Sequence, residues 1–339
     1  MPEEELEAWL RLLLTPGVSR AQARRLLAVA GSPVVVFEQP QAVSQAAQLE
    51  RLLPALISPP DDGPVALQAT RSWLGAGEDR FVFALGDAGY PSRLLDIDDP
   101  PLLLFAAGAL ARQWSAGRGW AGPVLAVVDG AAHTGALEGG GPTVAVVGTG
   151  LDRVYPRRHL DLARRIVGSG AIVSEFLLGT PPLNHHFPQR NRILAGLASA
   201  TLVVEANLKS GSLITARLAA EQGKEVMAIP GSIDTPQSQG CHRLIVEGAR
   251  LVPCVQDVSE GLDHRPPLAA AHPPPASGKQ APSDDAVLQA LGFEPTGLDA
   301  LQLRCGWPTD RLQARLLELE LAGQVAALPG GWWQRMAGR

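Results

Sequence analysis

Cysteine is scarce, with three residues in 339: Cys241, Cys254 and Cys305. An odd count without CxxC spacing excludes a disulfide framework and a thiolate zinc site, and it fits a reducing compartment. No apolar run is long enough to span a membrane. The N-terminus, Met1-Pro2-Glu3-Glu4-Glu5, is acidic where a signal peptide is basic, so the expected location is cytoplasmic. No GxxxxGK[ST] stretch occurs, which excludes a P-loop for ATP, and no GxSxG elbow occurs either. His185-His186 lacks a third ligand nearby, so no metal is expected. No cofactor is expected.

Positive charge is also lacking overall. The net charge is −5, with 34 acidic residues against 29 basic ones. The distribution changes that picture. Residues 151–250 hold 12 Lys+Arg against 8 Asp+Glu, a surplus of +4, and the rest of the chain carries −9. A basic centre between acidic flanks is compatible with a local nucleic-acid groove. It is equally compatible with solvated helix faces. Hydrophobic residues make up 46% and charged residues 19%, so the chain is globular, and its length allows two or three domains.

Leu6, Trp9, Leu10, Leu13 and Leu14 recur at helical spacing. Pro16-Gly17 then makes a turn, and Ser19 is placed to cap a second helix over Ala23, Leu26 and Leu27. The pattern is a helical hairpin. It reads either as a phosphate-binding turn or, in preference, as a packing module, because Arg20, Arg24 and Arg25 are its only clustered cations. From residue 76 the signals alternate. A short buried strand is expected in the run Pro100–Phe105, and further strands at Thr143–Val147, Ala171–Val173, Leu202–Val204, Val226–Ile229 and Leu251–Val252. Helices are expected at Leu160–Val167, Arg192–Leu197, Ile214–Gln222 and Leu244–Gly248. This alternation predicts an α/β fold with a Rossmann-like, mostly parallel sheet. Residues 264–283 are a Pro/Ala-rich linker. Helices at Asp285–Leu291, Gly297–Leu303 and Thr309–Leu321, followed by a hairpin, predict a C-terminal winged helix. Its third helix balances Arg311 and Arg315 with Glu318 and Glu320, which suits a protein-contact or accessory role better than DNA reading.

Three stretches carry candidate chemistry. Gly148-Thr149-Gly150 follows a strand, and its amides could approach a phosphate. It is no dinucleotide fingerprint, because Arg153 stands at the third glycine position. Arg157 and Arg158 add charge beside it. In the stretch His185-His186-Phe187-Pro188-Gln189-Arg190-Asn191-Arg192, Phe187 is suited to stack on a base and Arg190 to pair with phosphate. Asn191 is placed to cap a helix, and Arg192 to pair internally with Glu175 or Glu205. Lys209-Ser210-Gly211-Ser212 precedes a helix and offers an ammonium, hydroxyls and amides to an anion. Ordinary capping explains the serines as well. His186 and Arg243 complete the set of candidate DNA contacts.

These residues together resemble the DprA/Smf family, which binds single-stranded DNA and loads RecA in natural transformation. The matching stretches are Ser174-Glu175, Phe187-Pro188, Arg190–Ile193, Glu205-Ala206, Ser210–Ser212 with Thr215-Ala216, and Pro230–Ser232. The resemblance implies single-stranded DNA and RecA recombinase as partners, a homodimer, and no enzymatic activity. A rival reading is a nucleotide-handling enzyme, since the core is also similar to lysine-decarboxylase-like phosphoribohydrolases. Those carry PGGxGTxxE, whereas Pro230-Gly231-Ser232-Ile233-Asp234 lacks the glycine series and the glutamates. A DNA-binding-impaired scaffold is the third reading. The family's core opens on a strand ending in Gly-Ser/Thr-Arg. Here Gly108 leads directly toward Asp129–Leu137, so a βα unit of roughly 30 residues is missing, and with it that arginine. Val124–Val128 is expected to fill the lost place beside Thr143–Val147.

The expected domains are therefore helical over 1–75, Rossmann-like over 76–263, linker over 264–283 and winged helix over 284–339. Mild proteolysis should cut between His264 and Ser283 and release a folded C-terminal domain, as read by mass spectrometry of the fragments. Survival of the intact chain under conditions that nick an unstructured control would contradict this.

Overall fold

Leucine and tryptophan at three- and four-residue spacing give helix α1, Glu3–Leu14, an apolar face that buries Leu6, Trp9, Leu10 and Leu12. Its three N-terminal glutamates oppose the helix dipole. The computed structural model describes residues 1–118, 125–126, 130–262, 286–291, 296–328 and 331–336. Helix α2, Arg20–Ala30, starts in a capping box between Ser19 and Gln22, and Gly31 ends it with φ +72°. Helices α3 (Pro33–Glu38), α4 (Pro40–Ala46), α5 (Leu53–Ile57) and α6 (Gly63–Gly75) follow. Their buried residues share one cluster with Ala84, Leu102, Leu103 and Phe105 of the sheet that follows. Trp73 meets Phe105 edge-on at 6.1 Å. Residue 75 thus ends the helices, but residues 1–265 form a single compact unit.

The basic cluster of α2 is used inward. Arg20 and Arg24 both reach Asp99, at 2.7 and 2.6 Å, and Arg25 donates to Ala47 O at 2.6 Å. The hairpin is a packing module.

Strand β1 (Arg80–Ala84) pairs antiparallel with β2 (Leu103–Ala107). Helix α7 (Ala109–Ser115) comes next and buries Leu110, Ala111 and Trp114. The elements β3 (Leu125–Ala126), α8 (Gly130–Glu138), β4 (Val144–Val146), α9 (Leu160–Ser169), β5 (Ala171–Ser174) and α10 (His186–Leu197) follow. After them come β6 (Ala200–Val203), α11 (Gly211–Glu221), β7 (Glu225–Ala228), α12 (Gln239–Val246), β8 (Arg250–Leu251) and α13 (Val255–Gly261). The strands form two sheets, ordered β1-β2-β5-β4 and β3-β6-β7-β8. Four of these six pairings are parallel, as an α/β core with covering helices requires.

The division into two sheets is where the structure departs from expectation. Of the run expected beside β4, only Leu125 and Ala126 lie among the described residues. They pair with Ala200 and Thr201 of β6, not with β4. The outer edge of β4 is consequently without a strand partner among the described residues. Ala171 N–H donates to Thr143 O and Val147 N–H to Val173 O, so odd-numbered residues face β5. By the alternation of a strand, the backbone groups of Val144 and Val146 face away from it.

The second unit spans Pro266–Arg339. Helices α14 (Ala286–Leu291), α15 (Leu298–Cys305) and α16 (Thr309–Leu321) pack with strands β9 (Thr296–Gly297), β10 (Val325–Leu328) and β11 (Trp332–Arg335). The sheet is antiparallel in the order β10-β11-β9. Val287, Leu291, Leu301, Leu312, Leu316 and Val325 centre its core. It is a winged helix with one more strand than the sequence suggested. The linker at 264–283 and the turn residues Pro329 and Gly330 lie outside the described residues.

An ion network holds the first unit together. Arg192 on α10 grips Glu175 through both terminal nitrogens, at 2.5 and 2.6 Å, and reaches Asp99 at 3.2 Å. Arg20 adds a 3.3 Å contact to Glu175. The Arg192 and Glu175 side chains are 12% and 6% exposed, so these charges are shielded from water. Burial alone pushes the Asp99 carboxyl up, but bonds from Arg20 and Arg24 with the charge of Arg192 hold it below its ordinary value. A depressed carboxylate stabilises the fold above its unfolded pKa, near 4, and loses that contribution as pH falls through the lower folded value. Glu175→Ala should therefore cost about 3–5 kcal/mol by urea unfolding, because it strands buried Arg192. Wild-type stability should fall below about pH 4, with Asp99→Asn blunting that fall. A cost under about 1 kcal/mol, the range of exposed pairs, would show that the network is not shielded.

Candidate nucleic-acid interface

The parallel strands β4, β5, β6 and β7 all deliver their carboxyl ends to loops that contain candidate residues. In open α/β sheets this end is where ligands are bound. Gly148-Thr149-Gly150 follows β4. Ser174-Glu175 closes β5. Lys209-Ser210 follows β6, and Pro230-Gly231 follows β7.

Several candidates prove structural. Thr149 is buried, and its carbonyl accepts from Ser174 Oγ at 2.7 Å. Gly150 N–H is already donated to Thr180 O. A Cβ on Gly150 would come within 2.6 Å of Leu177 O, so glycine is needed there for close approach. The turn is tight and internally bonded; it is not an open amide nest. His186 is buried, bonds Gly148 O through Nδ1 at 3.0 Å and stacks on Phe176 at 4.1 Å. The sequence offered it to DNA; the structure places it in the core.

Arg190 is likewise turned inward. Its Nη1 donates to Val146 O on the open edge of β4, and burial pushes its guanidinium down. Asn191 is buried within α10, which begins at His186, so it does not cap that helix. Instead its Nδ2 reaches Gly211 O at 3.4 Å and ties α10 to the start of α11. Arg192 makes the expected internal pair with Glu175.

What stays outward is a smaller set. Tyr155 is 57% exposed, and its ring lies 6.0 Å from that of half-buried Phe187. Arg157 and Arg158 follow on an exposed turn, with no carboxylate partner among the described residues. Two rings beside two free guanidiniums can stack bases and neutralise phosphates together. Sequence reasoning did not single out Tyr155; its place two residues before Arg157 was the available signal. Lys209 is exposed at the start of α11, where Ser210 Oγ accepts from Ser212 N. Gly211 is exposed in that first turn and Ser212 is half-buried. Arg243 on α12 pairs with Glu247 at 2.8 Å and lines, with Lys209, a groove between α11 and α12.

The profile of the DNA recombination-mediator protein A family matches residues 125–263, and that of the DprA winged helix domain matches 269–331. Protein Smf of Escherichia coli is 46% identical over 212 residues, which cover 60% of this chain and 56% of that protein. DNA processing protein DprA of Streptococcus pneumoniae is 41% identical over 203 residues, covering 52% of this chain and 72% of the relative. The chain belongs to the DprA/Smf family. The X-ray structure of the S. pneumoniae DprA superposes with a TM-score of 0.61 at 30% identity, over 78% of this chain and 99% of that one. The S. pneumoniae alignment fills 203 positions with only about 176 residues of this chain, and the family profile first engages at residue 125.

Since His186 serves the core, His186→Ala should cost about 1–3 kcal/mol in urea unfolding, as Gly148 O loses its buried partner. A change within about 0.5 kcal/mol, the size of a surface substitution, would return His186 to the list of exposed contacts.

Proposed function

We propose that this chain binds single-stranded DNA without strong sequence preference, and that it acts as a non-catalytic recombination mediator that helps load RecA during DNA uptake. The observation that carries the reading is the pair of exposed Tyr155 and half-buried Phe187 beside the free Arg157 and Arg158, at the carboxyl ends of the parallel strands. Stacking tolerates any base, and the guanidiniums neutralise phosphates, so affinity comes without base reading. Lys209 at the start of α11 supplies a further phosphate contact.

The absence of catalysis is supported by the one adjacent thiol and imidazole. Cys241 is buried, its Sγ lies 3.7 Å from Val203 O, and burial pushes the thiol up. His242 turns instead to Gly231 O at 2.9 Å. They do not form a nucleophile–base pair. On the winged helix, Arg311 stacks on Trp307 at 4.1 Å and Arg315 pairs with Glu318, which favours an accessory role over a DNA-reading one. Homodimerisation is favoured by exposed Val246, Leu251 and Val255 at the edge strand β8 and its neighbours. No helix among the described residues is long and apolar enough to cross a membrane; we assign the protein to the cytoplasm.

Filter binding with poly-dT, duplex DNA and a nucleoside monophosphate at two salt concentrations tests the reading. Poly-dT should bind most tightly and weaken steeply with salt. Tyr155→Ala should cost about 1–3 kcal/mol of affinity. The double change Arg157→Ala/Arg158→Ala should lower both affinity and salt slope, with an unchanged melting curve in each case. Tighter binding to duplex would overturn single-strand selectivity. Preference for the monophosphate would favour the nucleotide-handling alternative, and absence of DNA binding would leave a scaffold.

A further inference from the structure

A cavity of about 630 Å³ lies beside the open edge of β4. The family's first βα unit has no counterpart in this chain, and no strand among the described residues covers that edge. The cavity walls are mainly aliphatic, from Val144–Val147 on β4, Leu151 and Val154, and the face of α9 that carries Ala163 and Val167. Its volume falls in the range of small-molecule sites, about 300–1,000 Å³. The charged residues on the lining are unbalanced: Arg80, Arg153, Arg164 and Arg190 stand against Asp79 alone. Arg153 and Arg164 have neighbouring carboxylates, Asp152 and Asp161.

Arg190 does not. Its Nη1 is committed to Val146 O. Its Nε is buried with no acceptor, and Nη2 has none among the described residues. The Nε/Nη2 edge of a guanidinium is a two-pronged donor that matches the two oxygens of a carboxylate. A buried donor left unmade is costly, so this edge calls for an anion. The aliphatic walls call for an apolar body attached to it.

We propose that this cavity is a binding site for a small amphipathic carboxylate, its carboxylate on the Nε/Nη2 edge of Arg190 and its aliphatic body along β4 and α9. The rim of the cavity includes Tyr155 and Phe187, which the proposed DNA interface also uses; the carboxylate pocket itself lies on Arg190 and β4, whose outer edge no strand covers among the described residues. A ligand here covers exposed apolar wall and satisfies the orphaned guanidinium edge in one step.

Trp73 lines the cavity, so its fluorescence offers a readout alongside calorimetry. The full-length protein is titrated with decanoate below its micelle concentration, with decanol, with inorganic phosphate and with (dT)20. Saturable one-to-one binding of decanoate, at least tenfold tighter than decanol, is expected. Phosphate alone should not compete. Arg190→Gln should weaken decanoate at least tenfold while leaving decanol unchanged. Because that variant also disturbs Val146 O, Ala163→Phe provides a second test. It fills the cavity from α9 and should abolish decanoate binding while (dT)20 binding and melting temperature are maintained. Equal affinity for decanol would reduce the site to an apolar void. Competition by phosphate would make Arg190 part of a general anion site. Either outcome, or a lack of saturable binding, overturns the proposal. A failure of (dT)20 to bind at all bears on the DNA reading alone.

Discussion

The contact on which the first unit depends is the two-pronged grip of Arg192 on Glu175. It joins α10 to the end of β5, and through Asp99 it extends to Arg20 and Arg24 on α2. These elements are far apart in sequence, and each brings a charge that would be costly to bury alone. Together they satisfy one another. The network therefore works less as added stability than as a constraint on which arrangement can exist, because any sliding of α2 against α10 strands a charge. The orientation of α10 follows from it. With Arg192 fixed on Glu175, the opposite side of the helix must carry His186, Arg190 and Ile193 toward β4, and the aromatic Phe187 is left at the rim.

The second constraint is a missing piece. A parallel sheet normally continues through its middle, with every backbone group paired inside the ladder. Among the described residues the ladder stops at β4 on one side and at β3 on the other. Arg190 partly mends the break by donating to Val146 O, a carbonyl that an adjoining strand would otherwise satisfy. A residue that sequence logic assigns to DNA is thereby drawn into holding the sheet edge. Its inward turn and the open edge have one cause.

Much of this was legible in the sequence. Short β-branched runs between helical segments located β4 to β7, and capping signals placed α2 within a residue. The winged helix followed from three apolar periods and a Pro-Gly turn. Helix α7 was missed, although Leu110, Ala111 and Trp114 already lie on one helical face. The partner of Leu125-Ala126 was mistaken, because periodicity identifies a strand but says nothing of which edge it joins. The site was less legible, for a geometric reason. Reading α10 from Arg192 leaves His186 to Asn191 as a loop in which every side chain is available. Starting it at His186 separates neighbours by about 100°. Then His186, Arg190, Ile193 and Leu197 fall on one face, the one that meets the core.

That same geometry revises the electrostatic argument. The surplus of +4 in residues 151–250 counts charges, not charges that face water. Arg190 and Arg192 are spent inside the fold. Lys224 is spent on Ala195 O and Gly196 O at the end of α10. Arg217 and Arg243 sit one helical turn from Glu221 and Glu247. Arg153, Arg164 and Arg250 lie beside Asp152, Asp161 and Glu225; Arg157, Arg158, Arg165 and Lys209 remain, and only the first two stand beside an aromatic pair. A phosphate backbone is attracted by uncommitted cations, so the interface proposed above is small and concentrated where the chain leaves β4. An arginine is free to contact DNA only after the fold has finished using it, and for this chain that rule moves the proposed site from the middle of α10 to its N-terminal rim.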